Sequence, residues 1–228
     1  MKYSPLSLIV CIILLQQTGC TQKNSKEGKA TVGSAKKVGG SCEGCEVIYS
    51  SPVPFEKLHW IDTLPDFTEK GPKLVVSGVI YMPDGKTPAK DIVMYVYHTD
   101  QSGKYTNRNN EKGYAGKNGY IKGWIKTNEK GEYKFYTLKP APYPGSNIPA
   151  HIHPVIKEPG MNEYYIDEYL FEDDPFLTKT ERDRQEKRGG NGIITPVNEN
   201  GILFCTRDIY LGKNIPNHPA NESNAAKK

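Results

Sequence analysis

Leu74-Val-Val-Ser-Gly-Val-Ile-Tyr81-Met-Pro-Asp-Gly85 is the stretch that decides the fold of this 228-residue chain. Its first part is rich in β-branched and aromatic residues, which suit a pleated, half-buried strand. Pro83-Asp84-Gly85 then supplies the residues that a tight turn demands. The same rhythm continues downstream. Asp91 to His98 carries Ile-Val-Met-Tyr-Val-Tyr, Tyr120 to Lys126 reads as a third strand, and Asn128-Glu-Lys-Gly131 as a turn. Glu132 to Leu138 alternates as a fourth strand, and further strands are expected around Gly192–Val197, Gly201–Thr206 and Asp208–Leu211. Asp174–Arg188, charged and poor in apolar residues, reads as a short helix or a solvated loop. Many short strands separated by turns and long loops predict an all-β domain, a sandwich or barrel.

Chemistry concentrates in Pro140-Ala-Pro-Tyr143-Pro-Gly-Ser-Asn-Ile148-Pro-Ala-His151-Ile-His153-Pro154. The flanking prolines disfavour a helix, because the residue before a proline is pushed towards extended backbone. On a strand, side chains alternate faces, so His151 and His153 point the same way. Two neutral imidazoles on one face make half of a transition-metal site. Tyr143 lies close enough in sequence to reach the same ion, and a strongly charged cation can hold a phenol as phenolate. Anionic phenolate beside imidazole suits ferric iron better than zinc or calcium. A purely structural role for each of these residues stays open at this level.

The N-terminal segment carries an address. Lys2 is followed by an apolar run, Leu6 to Leu15, of 10 residues, too short to span a bilayer. Thr18-Gly19-Cys20 closes it in a way that resembles a bacterial lipoprotein signal, cleaved before Cys20 and lipidated there; a plain secretory signal is the alternative. Residues 1–19 are thus expected to be signal, 20–40 a lipidated cysteine and flexible tether, and 41–228 the folded domain. The protein is expected to be exported and held to a membrane only by that anchor, on the periplasmic or cell-surface side. The tether carries five lysines against one glutamate, so residues 41–228 are close to neutral although the chain is +4 overall. The domain therefore has no basic excess for nucleic acid, and no nucleic-acid motif appears. In an oxidising compartment Cys42-Glu-Gly-Cys45 is expected to close as a disulfide. A zinc site needs a second ligand pair nearby, and a thioredoxin-like motif needs to open a helix, whereas Val47 to Pro54 reads as irregular. The pairing of Cys205 and the oligomeric state stay open.

Taken together, the segments from about Leu74 to about Pro175 resemble the intradiol ring-cleavage dioxygenases, the protocatechuate 3,4-dioxygenase and catechol 1,2-dioxygenase family. The resemblance rests on Gly78-Val-Ile-Tyr-Met-Pro-Asp-Gly-Lys-Thr-Pro88, on Tyr97-His-Thr-Asp-Gln-Ser-Gly-Lys-Tyr105, and on the turn, strand and loop from Gly123 to Pro144. Pro149-Ala-His151-Ile-His153 and Glu168-Tyr-Leu-Phe-Glu-Asp-Asp-Pro175 complete it. It implies a β-sandwich holding one Fe(III) through Tyr105, Tyr143, His151 and His153. Tyr105 and His151 would be equatorial, and Tyr143 and His153 axial. Only the resemblance picks Tyr105, since Tyr95, Tyr97, Tyr114 and Tyr120 are rival phenols. It also implies a catechol-type substrate and O₂, cleavage between the two hydroxylated carbons to a muconate-type diacid, and Tyr143 as both ligand and base.

Two departures bear on substrate. Ile148 stands where the family commonly has arginine before the histidine run, and Glu168 where it often has glutamine. Ile148 is therefore expected to line the substrate pocket. Glu168 is carried as a catalytic candidate that disfavours an anionic ring, and Lys122, Arg108 or Arg188 as possible sources of replacement charge. Readings from other classes are a non-catalytic transthyretin-like or carboxypeptidase-regulatory-like module and a copper or zinc protein using the two histidines, since fold does not fix function.

Overall fold

The computed structural model describes residues 37–108 and 110–221. The signal segment and Cys20 lie outside the described residues. In chain order the strands are β1 (Ile61–Thr63), β2 (Lys73–Tyr81), β3 (Val93–His98) and β4 (Lys122–Lys126). β5 (Glu132–Leu138), β6 (His151–Lys157), β7 (Glu163–Tyr165) and β8 (Tyr169–Phe171) follow. β9 (Ile193–Ile194), β10 (Val197–Glu199), β11 (Ile202–Thr206) and β12 (Ile209–Tyr210) end the series. Two short helices, α1 (Gly113–Lys117) and α2 (Lys179–Asp183), lie in the loops.

The strands form two six-stranded mixed sheets. One runs β1-β5-β2-β11-β10 with β12 also on β2; the other runs β4-β3-β6-β8-β9 with β7 also on β6. β2, β3, β5 and β6 contribute alternate residues to the core between the sheets. Leu74, Val76 and Ile80 of β2 and Phe135 of β5 meet Met94 and Val96 of β3 and Ile152 and Ile156 of β6. The sandwich is thus all-β, as the strand rhythm predicts. His98 also points inward and bridges the sheets. Its Nε2 is 2.7 Å from the hydroxyl of Thr137 on β5, which is in turn 2.8 Å from Asp66 Oδ1.

The other face of β3 carries Val93, Tyr95 and Tyr97. Part of it is covered by a 3₁₀ helix, Cys45–Ser50, whose Val47 and Ile48 pack on Val93, Tyr95 and Trp124. The Trp124 indole N–H donates to the Ile48 carbonyl at 2.9 Å. This corrects the irregular reading of Val47 to Pro54 for Val47 to Ser50, while residues 51–54 belong to no regular element. Gly44, at φ 81°, turns the chain into the helix, and two apolar side chains hold it down. Cys42 and Cys45 are joined by a disulfide at its start, while Cys205 is a buried free thiol. Residues 37–40, placed in the tether by composition, are bonded to the fold: Val38 N–H donates to Asn162 Oδ1 at 3.0 Å and Gly39 N–H to the Pro216 carbonyl at 2.7 Å.

The expected segment Gly192–Val197 divides into β9 and β10, because Pro196 has no N–H to give a ladder. α2 falls inside the charged Asp174–Arg188 stretch, opened by Thr178, whose hydroxyl accepts from Glu181 N–H. Among the described residues no helix is long and apolar enough to cross a membrane.

Candidate functional site

The site stands on the outer face of the second sheet. β3 and β6 pair antiparallel with Tyr97 opposite His153, and Ile152 between the histidines points into the core. The alternation therefore puts Tyr97, His151 and His153 on one surface. The Tyr97 ring stacks on His153 at 4.6 Å between centroids, and the His151 ring stands perpendicular to that of His153, also at 4.6 Å.

The two phenols arrive on loops. Asp100 folds the loop after β3: its Oδ1 accepts from the N–H groups of Ser102 and Lys104 at 2.8 and 3.2 Å, and its Oδ2 from the Thr106 hydroxyl at 2.5 Å. This fixes Tyr105 between them. Gly103, at φ 72°, lets that loop press against the one carrying Tyr143, since a β-carbon here would stand 2.1 Å from the Pro142 carbonyl oxygen. Tyr143 follows the Pro-rich exit from β5.

Four polar atoms from these segments converge. The Tyr105 hydroxyl is 2.8 Å from His153 Nε2 and 2.9 Å from the Tyr143 hydroxyl, which is 3.1 Å from His151 Nε2. His151 Nδ1 lies 2.7 Å from the Pro149 carbonyl. A carbonyl only accepts, so that nitrogen carries the proton and Nε2 presents its lone pair to the cluster. His153 Nδ1 faces Glu168, 3.6 Å from Oε1. Burial, helped by His153, pushes His151 down to about 4, so its ring is neutral at physiological pH. Burial also drives the Tyr105 phenol far up, with Tyr143 beside it adding to the effect, and lifts Tyr97 to about 12. Burial works against ionisation of Glu168, but His153 outweighs it and holds the carboxyl at about 2. A cation among the four donors would reverse the order for the phenols.

Two cavities flank the cluster and share Glu168. One, of about 270 Å³, lies between the Ser41–Cys45 loop and Tyr97, His153 and Tyr165. The other, of about 240 Å³, is lined by Tyr143, His151, Ile148 and Glu181. The charged side chains lining both are carboxylates: Glu43, Glu168 and Glu181. The three cations considered from sequence are engaged elsewhere. Lys122 pairs with Glu111, Arg108 with Glu69 at 2.6 Å, and buried Arg188 lies over the outer Tyr165 ring and donates to the Gly39 carbonyl at 3.0 Å.

Of the residues singled out from sequence, lipidation candidate Cys20 lies outside the described residues. Tyr105, Tyr143, His151 and His153 are brought together, Ile148 and Glu168 line the adjoining space, and Cys42 and Cys45 border the first cavity. Sequence alone marks Tyr97 only as a rival phenol and does not show its stacking on His153. The period-two spacing of Tyr95 and Tyr97 was the available signal. Among the described residues no group of three or more His, Cys, Asp or Glu side chains gathers as a metal site; the convergent set here is half phenolic.

The dioxygenase family model matches residues 51–182, more than half of the chain. The chain belongs to the intradiol ring-cleavage dioxygenase family. Every residue of the four-donor cluster falls inside the match, as do Ile148 and Glu168. Solved structures of the same fold include catechol 1,2-dioxygenase from Acinetobacter sp. ADP1, at 18% identity and TM-score 0.51, covering 67% of this chain and 57% of that one. The 3-chlorocatechol 1,2-dioxygenase of Rhodococcus opacus 1CP aligns at 20% identity and TM-score 0.50, covering 66% and 64%. The dioxygenase domain of a dioxygenase–carbohydrate-binding fusion from Streptomyces sp. SirexAA-E aligns at 18% identity and TM-score 0.50, covering 66% and 88%. This chain thus spans under two thirds of the two catechol-named enzymes, and at these identities the likeness is one of fold. The intradiol dioxygenase family uses non-haem iron and acts on catechol-type rings with O₂.

Proposed function

We propose that this protein is an Fe(III)-dependent intradiol dioxygenase that cleaves a catechol-type ring with O₂ to a muconate-type diacid. The observation that carries the reading is the convergence of the Tyr105 and Tyr143 hydroxyls with His151 and His153 Nε2. The donor set fits the metal. Two imidazole nitrogens and two phenols that ionise beside a cation offer hard, anionic coordination suited to ferric iron. Ferric iron held by these four residues would withdraw electron density from a bound catechol and make the ring reactive towards O₂.

The rest falls to the chain. Tyr143, which lines the second cavity, accepts a proton at its phenolic oxygen from a catechol hydroxyl. The Pro149 carbonyl orients His151 through its Nδ1 edge. Ile148 and Leu170 give the second cavity an apolar wall for the ring, and Tyr105, half-buried, is bonded to both Tyr143 and His153.

Purified protein should carry about one iron per chain, with a reddish tyrosinate-to-iron absorption. His151→Ala and His153→Ala should each lose iron and colour together. Full iron occupancy in both variants would sink the ligand assignment. Cleavage of catechol outside the two hydroxyls, read by product mass, would sink the reaction.

For location, export and anchoring through Cys20 remain the reading that the N-terminal sequence supports. Stable attachment needs the several acyl chains of a bacterial lipoprotein. Cys20→Ser should move the protein from the membrane to the soluble fraction; wild type that is never membrane-bound overturns the anchor.

A further inference from the structure

The two histidines have different neighbours behind them. β6 and β8 pair antiparallel with His151 opposite Leu170 and Ile152 opposite Tyr169. Glu168 immediately precedes β8. Directly opposed residues on one face of a sheet interact, so His151 has Leu170 across from it, while the Glu168 carboxylate lies beside His153. Distances agree: Glu168 Oε1 lies 3.6 Å from His153 Nδ1, whereas His151 Nδ1 is bonded to the Pro149 carbonyl at 2.7 Å. Glu168 is also where the two cavities meet. It is firmly mounted: its neighbour Asp167 accepts from the N–H groups of Lys187 and Arg188 at 2.7 and 3.1 Å, and its own carbonyl lies against Gly192, where a β-carbon would come within 2.3 Å.

We infer that Glu168 is a positioning residue for His153. Its carboxylate holds the proton on Nδ1, leaves Nε2 as the lone pair facing Tyr105, and sets a full negative charge behind one imidazole of the pair but not the other. The carboxylate need not touch substrate to do this. An anion beside Nδ1 attracts the N–H dipole and makes Nε2 a stronger donor. On the ferric reading proposed above, on which the metal part of this inference rests, the added charge favours Fe(III) over Fe(II). Glutamine in its place would keep an acceptor and lose the charge; alanine would lose both.

The test uses the full chain in two forms. In metal-free protein, ¹⁵N NMR of the imidazoles should show His153 held as the Nδ1–H tautomer in wild type, kept largely so in Glu168→Gln, and mixed in Glu168→Ala, with His151 unchanged throughout. An unchanged His153 tautomer in Glu168→Ala overturns the inference. In iron-loaded protein, both variants should show a charge-transfer band at longer wavelength and a raised reduction potential, and Glu168→Ala should bind ferric iron 10- to 100-fold more weakly, the usual cost of losing such a partner. Band and potential identical to wild type in both variants also overturn it. Wild type that takes up no iron would defeat the ferric reading instead, and the metal-free tautomer would then decide the role of Glu168 by itself.

Discussion

Ile148 is half exposed at the mouth of the cavity that Tyr143 and His151 share, and among the described residues the charges lining that cavity are the carboxylates of Glu168 and Glu181. An apolar group at this place gives no help to a carboxylated ring, and the acids oppose one. Catechol and its methyl or chloro derivatives should therefore be turned over in preference to protocatechuate. Ile148→Arg should raise kcat/KM for protocatechuate relative to catechol by about tenfold, the ratio that ~1.4 kcal/mol of differential stabilisation gives. A wild-type enzyme that already favours protocatechuate removes the basis of this prediction. At this scale the sequence was readable where the chemistry is local. Tyr143, His151 and His153 sit close along the chain, in an extended, proline-flanked stretch. Tyr105 is separated from them by α1, β4, β5 and the loops between, and only its family context picked it out. The partner of Tyr97 is set by cross-strand register, which single residues do not announce.

Elements place the donors, and the loop through Gly103 is the most exacting of them. Its φ of 72° and the contact distance of 2.1 Å from a would-be β-carbon to the Pro142 oxygen leave no room for a side chain. Gly103→Ala should push the Tyr105 loop away from the Tyr143 loop, and so lower iron occupancy several-fold while the sandwich still folds. Metal content and circular dichroism, measured side by side, check this; full occupancy with a native spectrum would show that the loops can yield. The longer strands were legible because β2 and β3 are runs of β-branched and aromatic residues and β5 alternates over several residues. β1, β7 and β8 are three-residue strands. Their existence depends on partners in the sheet rather than on their own pattern, so composition could not mark them. The 3₁₀ helix Cys45–Ser50 is likewise made by what it covers, Trp124 and Tyr95.

Across the whole molecule, the bridge of His98, Thr137 and Asp66 joins the two sheets in full burial. His98 Nδ1 donates to the Thr99 carbonyl at 2.8 Å, so Nε2 is an acceptor when the ring is neutral, and the single Thr137 proton cannot serve both it and an ionised Asp66. Burial pushes Asp66 up to about 6 and His98 down to about 4. Taken alone, Asp66 contributes stability that is present below its ordinary pKa and lost as pH rises to about 6. His98 alone contributes stability present above its ordinary pKa and lost as pH falls to about 4. The two windows overlap with opposite slopes, because folding moves a proton from ring to carboxyl rather than binding or releasing one. Wild-type stability should therefore owe no slope to this pair between about pH 4 and 6. Asp66→Asn should expose a fall in stability towards low pH, and His98→Gln a rise, each by ~3 kcal/mol over about two pH units. Urea midpoints across that range read both; flat profiles in both variants would refute the proton transfer. Elsewhere, the apolar core lies between the sheets while the four donors stand on an outer face, and the rim of their cavities is made by loops. A descendant can thus exchange rim residues such as Ile148 without repacking its interior, so a lineage is free to explore new diets of aromatic compounds while inheriting an unchanged scaffold.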